Sequence, residues 1–198
     1  MRSTEPVRLK DGSTVVIRPM TRDDLEKSIE FFRDLPEDDR ASLRRDVTKM
    51  EVVEDRIHEM EQGLAKRLVA VAGDKIVADG ALEVATYGWE EHVGEIRLIV
   101  SKPFQRRGLG RLMARSLYSL ATETGIDEIV VKMMPGQTAA RAIFHGLGFR
   151  EETILHNYVR DTKGVRRDLV VMRCSLEDLW RQFEEFVCES DLHAFRMY

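Results

Sequence analysis

Seven consecutive residues near the middle of the chain have the composition of a phosphate-binding turn. They are Gln105, Arg106, Arg107, Gly108, Leu109, Gly110 and Arg111. A β-rich apolar run, Glu95 to Val100, precedes them, and a segment with apolar residues at helical spacing follows. Glycines have no Cβ, so a bulky ligand can approach the main chain, and the first amides of a helix have no partner within it. These amides, the helix dipole and the arginines together predict a site for pyrophosphate.

Two common phosphate-binding loops are excluded by the residues that follow the second glycine. A P-loop has Lys and Ser or Thr directly after its last glycine, whereas Arg111 and Leu112 follow Gly110. A dinucleotide-binding fingerprint has a third glycine three residues later, where this chain has Met113. The pattern that fits is Gln/Arg-x-x-Gly-x-Gly/Ala. In this pattern the stretch resembles motif A of the GNAT superfamily of acyl-CoA-dependent N-acyltransferases.

A second stretch, Pro135 to Phe149, is similar to motif B of the same family. The family commonly has Asn, Ala, Tyr, Gly and Phe where this chain has Gln137, Ala140, Phe144, Gly148 and Phe149. The spacing matches throughout, and Gln137 and Phe144 depart in identity. The run from Leu9 to Pro19 also looks like openings of GNAT domains in bacterial protein-lysine acetyltransferases. The resemblance covers roughly Val15 to Arg173.

The resemblance implies acetyl-CoA as cosubstrate, and no metal is expected because the histidines lack metal-ligand spacing. The amides from Gln105 to Arg111 are then expected to hold the pyrophosphate of CoA, with the arginines adding charge. In the family the preceding strand carries a bulge and splays from its parallel neighbour. The backbone of Leu98, Ile99 and Val100 is therefore expected to bind the pantetheine arm as an added strand does. Gln137 and Phe144 complete the predicted CoA-binding residues.

Acetyl transfer to an amine needs a group that takes a proton, because a lysine-like amine has a reference pKa of about 10.4. Glu95, a lone acid at the start of the central strand, lies near the position where family members often carry a catalytic Glu. It is the predicted base, acting directly or through a water. The alternative is that Glu95 is only a charge at the end of the strand, paired with Arg97 or Arg115.

The leaving thiolate often receives its proton from the tyrosine of motif B, and Phe144 has no proton to give. Tyr158, on the penultimate predicted strand, is the predicted acid. His145 and His156 are alternatives, and so is water, because a free thiol has a reference pKa near 8.5 and leaves readily.

These residues need a scaffold of alternating strands and helices. A short hairpin with Val15 to Ile17, two helices up to Leu64 and three antiparallel strands are predicted before the turn. Glu128 to Met133 should lie parallel to the Glu95 strand, because a helix connects them. A hairpin from Glu151 to Arg173 then closes the sheet, and Ser175 can cap a last helix. The predicted fold class is α/β with a mixed sheet.

The resemblance makes this a GNAT fold with antiparallel N-terminal strands, a splayed parallel central pair, a C-terminal hairpin and an extra C-terminal helix. We expect one domain over residues 1–198, with a core at about 7–174 and a helical extension at 175–198.

Composition and charge disfavour several classes of protein. The formal net charge of -4 disfavours a general nucleic-acid footprint. The N-terminus lacks the apolar core of a signal peptide, and no run approaches the ~20 apolar residues of a membrane span. A cytoplasmic monomer or homodimer that binds neither nucleic acid nor membrane is therefore expected. Cys174, Cys188 and the five histidines lack metal-ligand spacing.

The resemblance thus predicts an N-acetyltransferase that moves an acetyl group from acetyl-CoA to a primary amine. The amine belongs to a small molecule or a protein and attacks directly in a ternary complex. The alternative is a non-catalytic acyl-CoA-binding sensor that retains the phosphate-binding turn and does not catalyse acetyl transfer. A Rossmann-like nucleotide module is disfavoured, because the glycine spacing fails and the N-terminal half reads as antiparallel.

Overall fold

A computed structural model describes residues 5–41, 43–85, 88–161 and 164–177. The strands are β1 (Pro6–Arg8), β2 (Thr14–Pro19), β3 (Ala65–Ala72), β4 (Lys75–Val84), β5 (Val93–Val100), β6 (Glu128–Met133), β7 (Arg150–Arg160) and β8 (Arg166–Ser175). The helices are α1 (Leu25–Arg33), α2 (Glu37–Ala41), α3 (Met50–Glu61), α4 (Leu109–Glu123) and α5 (Thr138–His145). Short 3-10 turns at Arg22–Asp24 and Lys102–Phe104 precede α1 and α4.

All eight strands form one mixed sheet in the order β1-β2-β3-β4-β5-β6-β8-β7. Every neighbouring pair is antiparallel except β5 and β6, which are parallel and joined through α4. The predicted fold class is therefore confirmed. In the C-terminal hairpin it is β8 that pairs with β6, so β7 lies at the edge of the sheet.

The two parallel strands separate beyond their first half. Their pairing runs from Val93 opposite Glu128 to Ile96 opposite Val131 and stops there, although β5 continues to Val100. The bulge implied for β5 is not present. Its register with β4 is continuous from Ala78↔Val100 to Val84↔Gly94. Divergence of two regular strands therefore opens the gap.

One face of the sheet is covered by α4 and α5. Leu109, Met113 and Leu117 of α4 recur at helical spacing and are fully buried. The helix lies so close to β4 that a Cβ on Gly80 would come within 2.8 Å of the Leu117 Cδ1 atom. At the start of α4, a Cβ on Gly110 would lie 3.1 Å from Ile143 Cδ1 of α5. Small residues thus set the distance of α4 from β4 and from α5.

The opposite face is covered by α1 and α3, the two helices predicted before the sheet. Phe31 and Phe32 of α1 and Ile57 of α3 pack there in a second apolar cluster with Val69 of β3. The short helix α2 was not predicted. The predicted last helix falls almost wholly in 178–198, which lies outside the described residues, and β8 ends at Ser175.

A buried carboxylate ties β2 to the start of α1 and gives a stability prediction. Both oxygens of Asp24 accept hydrogen bonds from Arg18 at 2.7 Å, and Oδ2 also accepts one from the Thr21 amide at 2.9 Å. The bonds from Arg18, aided by Thr21 and opposed by burial, lower the pKa of Asp24 from 3.8 to about 2. We expect Asp24→Asn to lower the free energy of unfolding at pH 7 by about 1 to 2 kcal/mol.

The pH dependence of that difference follows from the direction of the pKa shift. Because the pKa of Asp24 is lower in the folded state, its contribution is present above pH 4 and is lost as the pH falls towards 2. Urea titrations at several pH values should show wild type and Asp24→Asn converging over this range. Exposed Asp23 supplies the control, since Asp23→Asn should change little. A difference that stays constant down to pH 2 would contradict the assignment.

Candidate active site

The predicted phosphate-binding turn forms the start of α4. Gly108 is the N-cap of the helix, and its φ of 90° lies in the left-handed region that favours glycine. Arg106 also has a positive φ, 60°. In the part of the chain that the structure describes, the amides from Arg106 to Arg111 have no backbone acceptor, and the first bonded amide is Leu112, to Gly108 O at 3.2 Å. The helix start therefore offers a row of free donors.

The hairpin turn between β1 and β2 packs against this loop. The Lys10 amide donates to Arg107 O at 3.1 Å, and Asp11 forms an ion pair with the Arg107 side chain. The guanidinium of Arg107 also lies 5.1 Å from the ring centre of Phe104. Arg107 is therefore held by protein contacts. Lys10, whose side chain faces Gly108, was not predicted, because nothing in its own neighbourhood indicates a loop almost a hundred residues away.

The other two arginines of the turn differ from Arg107. Arg106 and Arg111 are exposed and form no ion pair within the described ranges. The side chain of Gln105 has a structural role, since Nε2 donates to Val100 O at 3.0 Å and joins the loop to β5.

A cavity of about 450 Å³ lies where β5 and β6 separate. Leu98 and Ile99 of β5 line it, as do Gln137 and Phe144 around α5. The Gln137 Oε1 atom accepts a hydrogen bond from the Met134 amide at 2.8 Å, which fixes the turn after β6. Phe144 is buried, edge-on to the Phe149 ring at 5.1 Å between ring centres. Four predicted CoA-binding residues thus line one cavity, whereas Val100 and the whole turn from Gln105 to Arg111 lie outside its lining.

Glu95 lies on the face of β5 that is opposite α4. The strand alternates, so Leu98 packs with α4, while Glu95, Arg97 and Ile99 point towards the side of α1 and α3. The carboxylate of Glu95 is mostly buried, with 16% of its side chain exposed.

Three cations surround that carboxylate. Lys132 Nζ lies 2.9 Å from Glu95 Oε2, Arg97 Nε lies 3.7 Å from Oε1, and Arg44 forms a further ion pair with Oε1. The predicted pairing with Arg97 is therefore present, and Arg115 is not a partner. Glu95 itself does not line the cavity, but its three partners do.

The structure does not bring Tyr158 to the cavity. Its side chain on β7 is 67% exposed, and its neighbours Val159 and Arg160 line the cavity instead. His145 is exposed on α5, and His156 is exposed and paired with Asp168 at 3.2 Å. The role of Tyr158 as an acid stays a prediction.

Sequence reasoning missed most of the charged residues of the cavity wall. The basic side chains that line it are Arg44, Arg45, Arg56, Arg67, Arg97, Lys132 and Arg160, and the acidic ones are Asp39, Asp79 and Glu83. Burial lowers the pKa of Arg67 to about 10 and also lowers the pKa of Arg97. The available signal was the presence of charges such as Asp79 within otherwise apolar strands, where a charged side chain is costly to bury.

A parallel strand pair that separates next to a helix start with free amides is the arrangement that motif A predicted. The model of the Acetyltransferase (GNAT) family matches residues 26–149, which is more than half of the chain. The chain therefore belongs to the GNAT acetyltransferase family.

The curated relatives match a smaller part of the chain than the family model does. The ribosomal protein bS18-alanine N-acetyltransferase of Escherichia coli K12 is 33% identical over 75 residues, or 38% of this chain and 50% of the relative. The chain thus spans about half the length of the curated relatives it matches.

Solved structures show the same fold. A ribosomal-protein-alanine N-acetyltransferase from Brucella melitensis has a TM-score of 0.71 at 20% identity, over 81% of this chain and 99% of that one. The GNAT domain of S. lividans PAT has a TM-score of 0.70 at 19% identity, over 87% and 96%. Spermidine N-acetyltransferase from Vibrio cholerae, solved with CoA and spermine, has a TM-score of 0.69 at 14% identity, over 82% and 96%.

The described residues contain no helix whose length and apolar character would let it span a membrane. They also contain no group of three or more His, Cys, Asp or Glu side chains arranged to hold a metal ion.

Proposed function

We propose that this protein transfers an acetyl group from acetyl-CoA to a primary amine by direct attack in a ternary complex. The observation that carries the proposal is the separation of β5 from β6 beside a cavity, next to a helix start whose amides are free. The relatives support it, because several of them are named for acetyl transfer to the amine of an alanine or of spermidine.

The pyrophosphate of CoA would accept hydrogen bonds from the amides between Arg106 and Arg111. The free side chains of Arg106 and Arg111 add charge, whereas Arg107, paired with Asp11, positions the loop. Each charge-assisted hydrogen bond contributes about 1.5 to 3 kcal/mol, so a few of them give a micromolar site.

The pantetheine arm would lie along the open edge of β5. Beyond Ile96 that edge has no strand partner among the described residues. The Ser101 amide bonds to Val77 O of β4, so in this antiparallel register Ile99 directs its backbone groups towards β4, and those of Leu98 and Val100 point to the open edge. Leu98 and Val100 are therefore available for main-chain hydrogen bonds with the arm. The carbonyl of Val100 already accepts a bond from Gln105, which leaves its amide. One strand amide would donate to the thioester oxygen as negative charge develops there.

In the reaction the amine nitrogen attacks the thioester carbon, a C–N bond forms, the C–S bond breaks, and CoA leaves as a thiolate. Glu95 would take the proton of the amine, directly or through a water, after giving up one of its cationic partners. Phe144 cannot protonate the thiolate, so Tyr158 after a movement of β7, or water, would do so.

The other predicted function, a non-catalytic acyl-CoA sensor, is separated from catalysis by the release of free thiol. We expect the purified protein to release CoA thiol from acetyl-CoA with at least one amine of a mixed panel. Tight binding of CoA without turnover on small amines, peptides or ribosomal proteins would favour the sensor.

The helix start is tested by Gly108→Ala. An alanine at a φ of 90° is strained by about 1 to 2 kcal/mol, and relief of that strain moves the amides that bind phosphate. We expect CoA to bind about tenfold more weakly and the stabilisation by CoA in thermal melts to shrink.

Gly125→Ala is a matched control, since Gly125 has a φ of 72° at the other end of α4 and no atom within 4 Å of an added Cβ. It should destabilise the fold similarly and leave CoA affinity unchanged. Equal CoA affinity in both variants would contradict the placement of the pyrophosphate. The cytoplasmic location and the monomeric or dimeric state stay predictions.

A further inference from the structure

The wall of the cavity carries an excess of positive charge. Seven basic and three acidic side chains line it. Glu59 and Glu95 pair with lining cations from outside the lining, which still leaves seven basic against five acidic groups, an excess of two. An excess of like charge at a partly buried site is unfavourable unless an anion neutralises it.

The distribution of ion pairs indicates which cations are available. Arg56 pairs with Asp79 at 2.6 Å, and Arg97 pairs with Glu83 at 2.7 Å. Arg160, on β7 at the side of the cavity, has no ion-pair partner in the described part of the chain. The guanidinium of Arg160 is thus available at the cavity wall to bind an anionic ligand.

Three buried polar atoms of the same wall also lack hydrogen bonds. They are Arg56 Nη1, Asp79 Oδ2 and Arg97 Nε, none of which has a hydrogen-bond partner among the described residues, although Arg97 Nε keeps its ion-pair contact with Glu95 Oε1 at 3.7 Å. The side chains of Arg56 and Asp79 are only 7% and 6% exposed. Buried polar groups are nearly always paired, so unpaired atoms along one cavity indicate a ligand that is polar there. Two of the atoms are donors that suit an anion, and one is an acceptor that suits an amine.

The position of Asp79 relates this wall to the reaction. In the register between β4 and β5, Asp79 lies opposite Ile99, between Leu98 and Val100, whose backbone groups are proposed to hold the pantetheine arm. A ligand that reaches Asp79 is therefore close to the path of the thioester. A cavity of about 450 Å³ lies within the usual range for small-molecule sites.

We propose that the acceptor is a small amine that itself carries a carboxylate or phosphate group, with Arg160 and Arg97 binding the anion. The inference rests on the proposed acetyl transfer and names the substrate class of that site. A polyamine would instead bring more positive charge to a wall that already has an excess of it, which like-charge repulsion disfavours.

The test compares acceptors that differ only in the anion. Free thiol from acetyl-CoA is measured with α-amino acids against their carboxamides, phosphoethanolamine against ethanolamine, and spermidine and short peptides as further arms. We expect the best acceptor to be a carboxylate or a phosphate, with kcat/KM at least tenfold above that of its uncharged counterpart. The two matched pairs show which anion is preferred.

Arg160→Gln should raise KM for that acceptor about tenfold, with kcat and the KM for acetyl-CoA little changed, and Arg160→Lys should restore most of the loss. Arg115→Gln removes the same charge from an exposed position of α4 that lies outside the cavity lining, and it should leave all constants unchanged. A preference for spermidine, an uncharged amine or peptides alone would overturn this inference and leave acetyl transfer intact. No thiol release with any amine would overturn the proposed function itself.

Discussion

Glu95→Gln is expected to lower kcat/KM for acetyl transfer by about 10²-fold to 10⁴-fold, the usual contribution of a general base. The amide has nearly the same shape as the carboxylate and cannot take a proton from the amine. Binding of CoA should not change, because Glu95 lies on the face of β5 opposite α4. The shape of the pH dependence of kcat/KM should change together with the rate. Stopped assays of thiol release over pH 5 to 9 measure both.

The control must separate loss of the base from loss of its ion pairs. Glu83 lies directly opposite Glu95 in the register of β4 and β5 and pairs with Arg97 at 2.7 Å. Glu83→Gln therefore removes the same charge beside the same arginine without removing the proposed base. We expect it to change kcat/KM less than about tenfold and to keep the shape of the pH profile, since the base remains. An unchanged pH profile in Glu95→Gln would remove Glu95 from the mechanism.

Arg56→Met is expected to lower the free energy of unfolding by about 3 to 5 kcal/mol, the usual cost of leaving a buried ion without its partner. The methionine keeps much of the volume beside the Phe32 ring, which the guanidinium contacts at 4.6 Å from the ring centre. The loss is therefore mainly electrostatic, because Asp79 stays buried without its direct partner. Urea denaturation at pH 7, with and without the variant, gives the difference.

The double variant Arg56→Met/Asp79→Leu measures how much of that loss comes from leaving Asp79 without its partner. Removal of both charges should recover a large part of the stability, since an apolar replacement of a buried pair is often neutral. Arg22→Gln supplies the surface control. Its pair with Glu61 is largely exposed and should contribute no more than about 1 kcal/mol. A loss below 1 kcal/mol for Arg56→Met would mean that the neighbouring Arg67 replaces Arg56 as the partner of Asp79.

Much of the fold could be predicted because its signals are local. The order of strand, basic turn and helix around Gly108 depends on residues within about 15 positions of one another, and the structure has it as predicted. The parallel pairing of β5 and β6 followed from the helix between them, because a crossover connection restricts the topology. The prediction of a bulge in β5 was wrong, because the register of β5 with β4 is continuous. That prediction came from the family resemblance and not from a residue pattern in this strand.

No comparable local signal in the sequence predicted the charged wall of the cavity. Arg44 is 51 residues from Glu95 and Lys132 is 37 residues away, so no spacing rule relates them. Each reads in the sequence as an ordinary solvated charge. The exposure of Tyr158 was likewise not visible, because it depends on β8 pairing with β6 and leaving β7 at the edge.

The sequence by itself determined the glycine-containing turn at the start of α4, the amphipathic helices and the family, because these follow from backbone geometry and periodicity over short stretches. Only the tertiary structure decided that Glu95 is held by three cations and that Arg56, Arg97 and Asp79 meet around one gap between strands. The physical reason is that side chains distant in sequence come together through the packing of whole elements on two faces of a sheet, and the charge environment exists only after that packing.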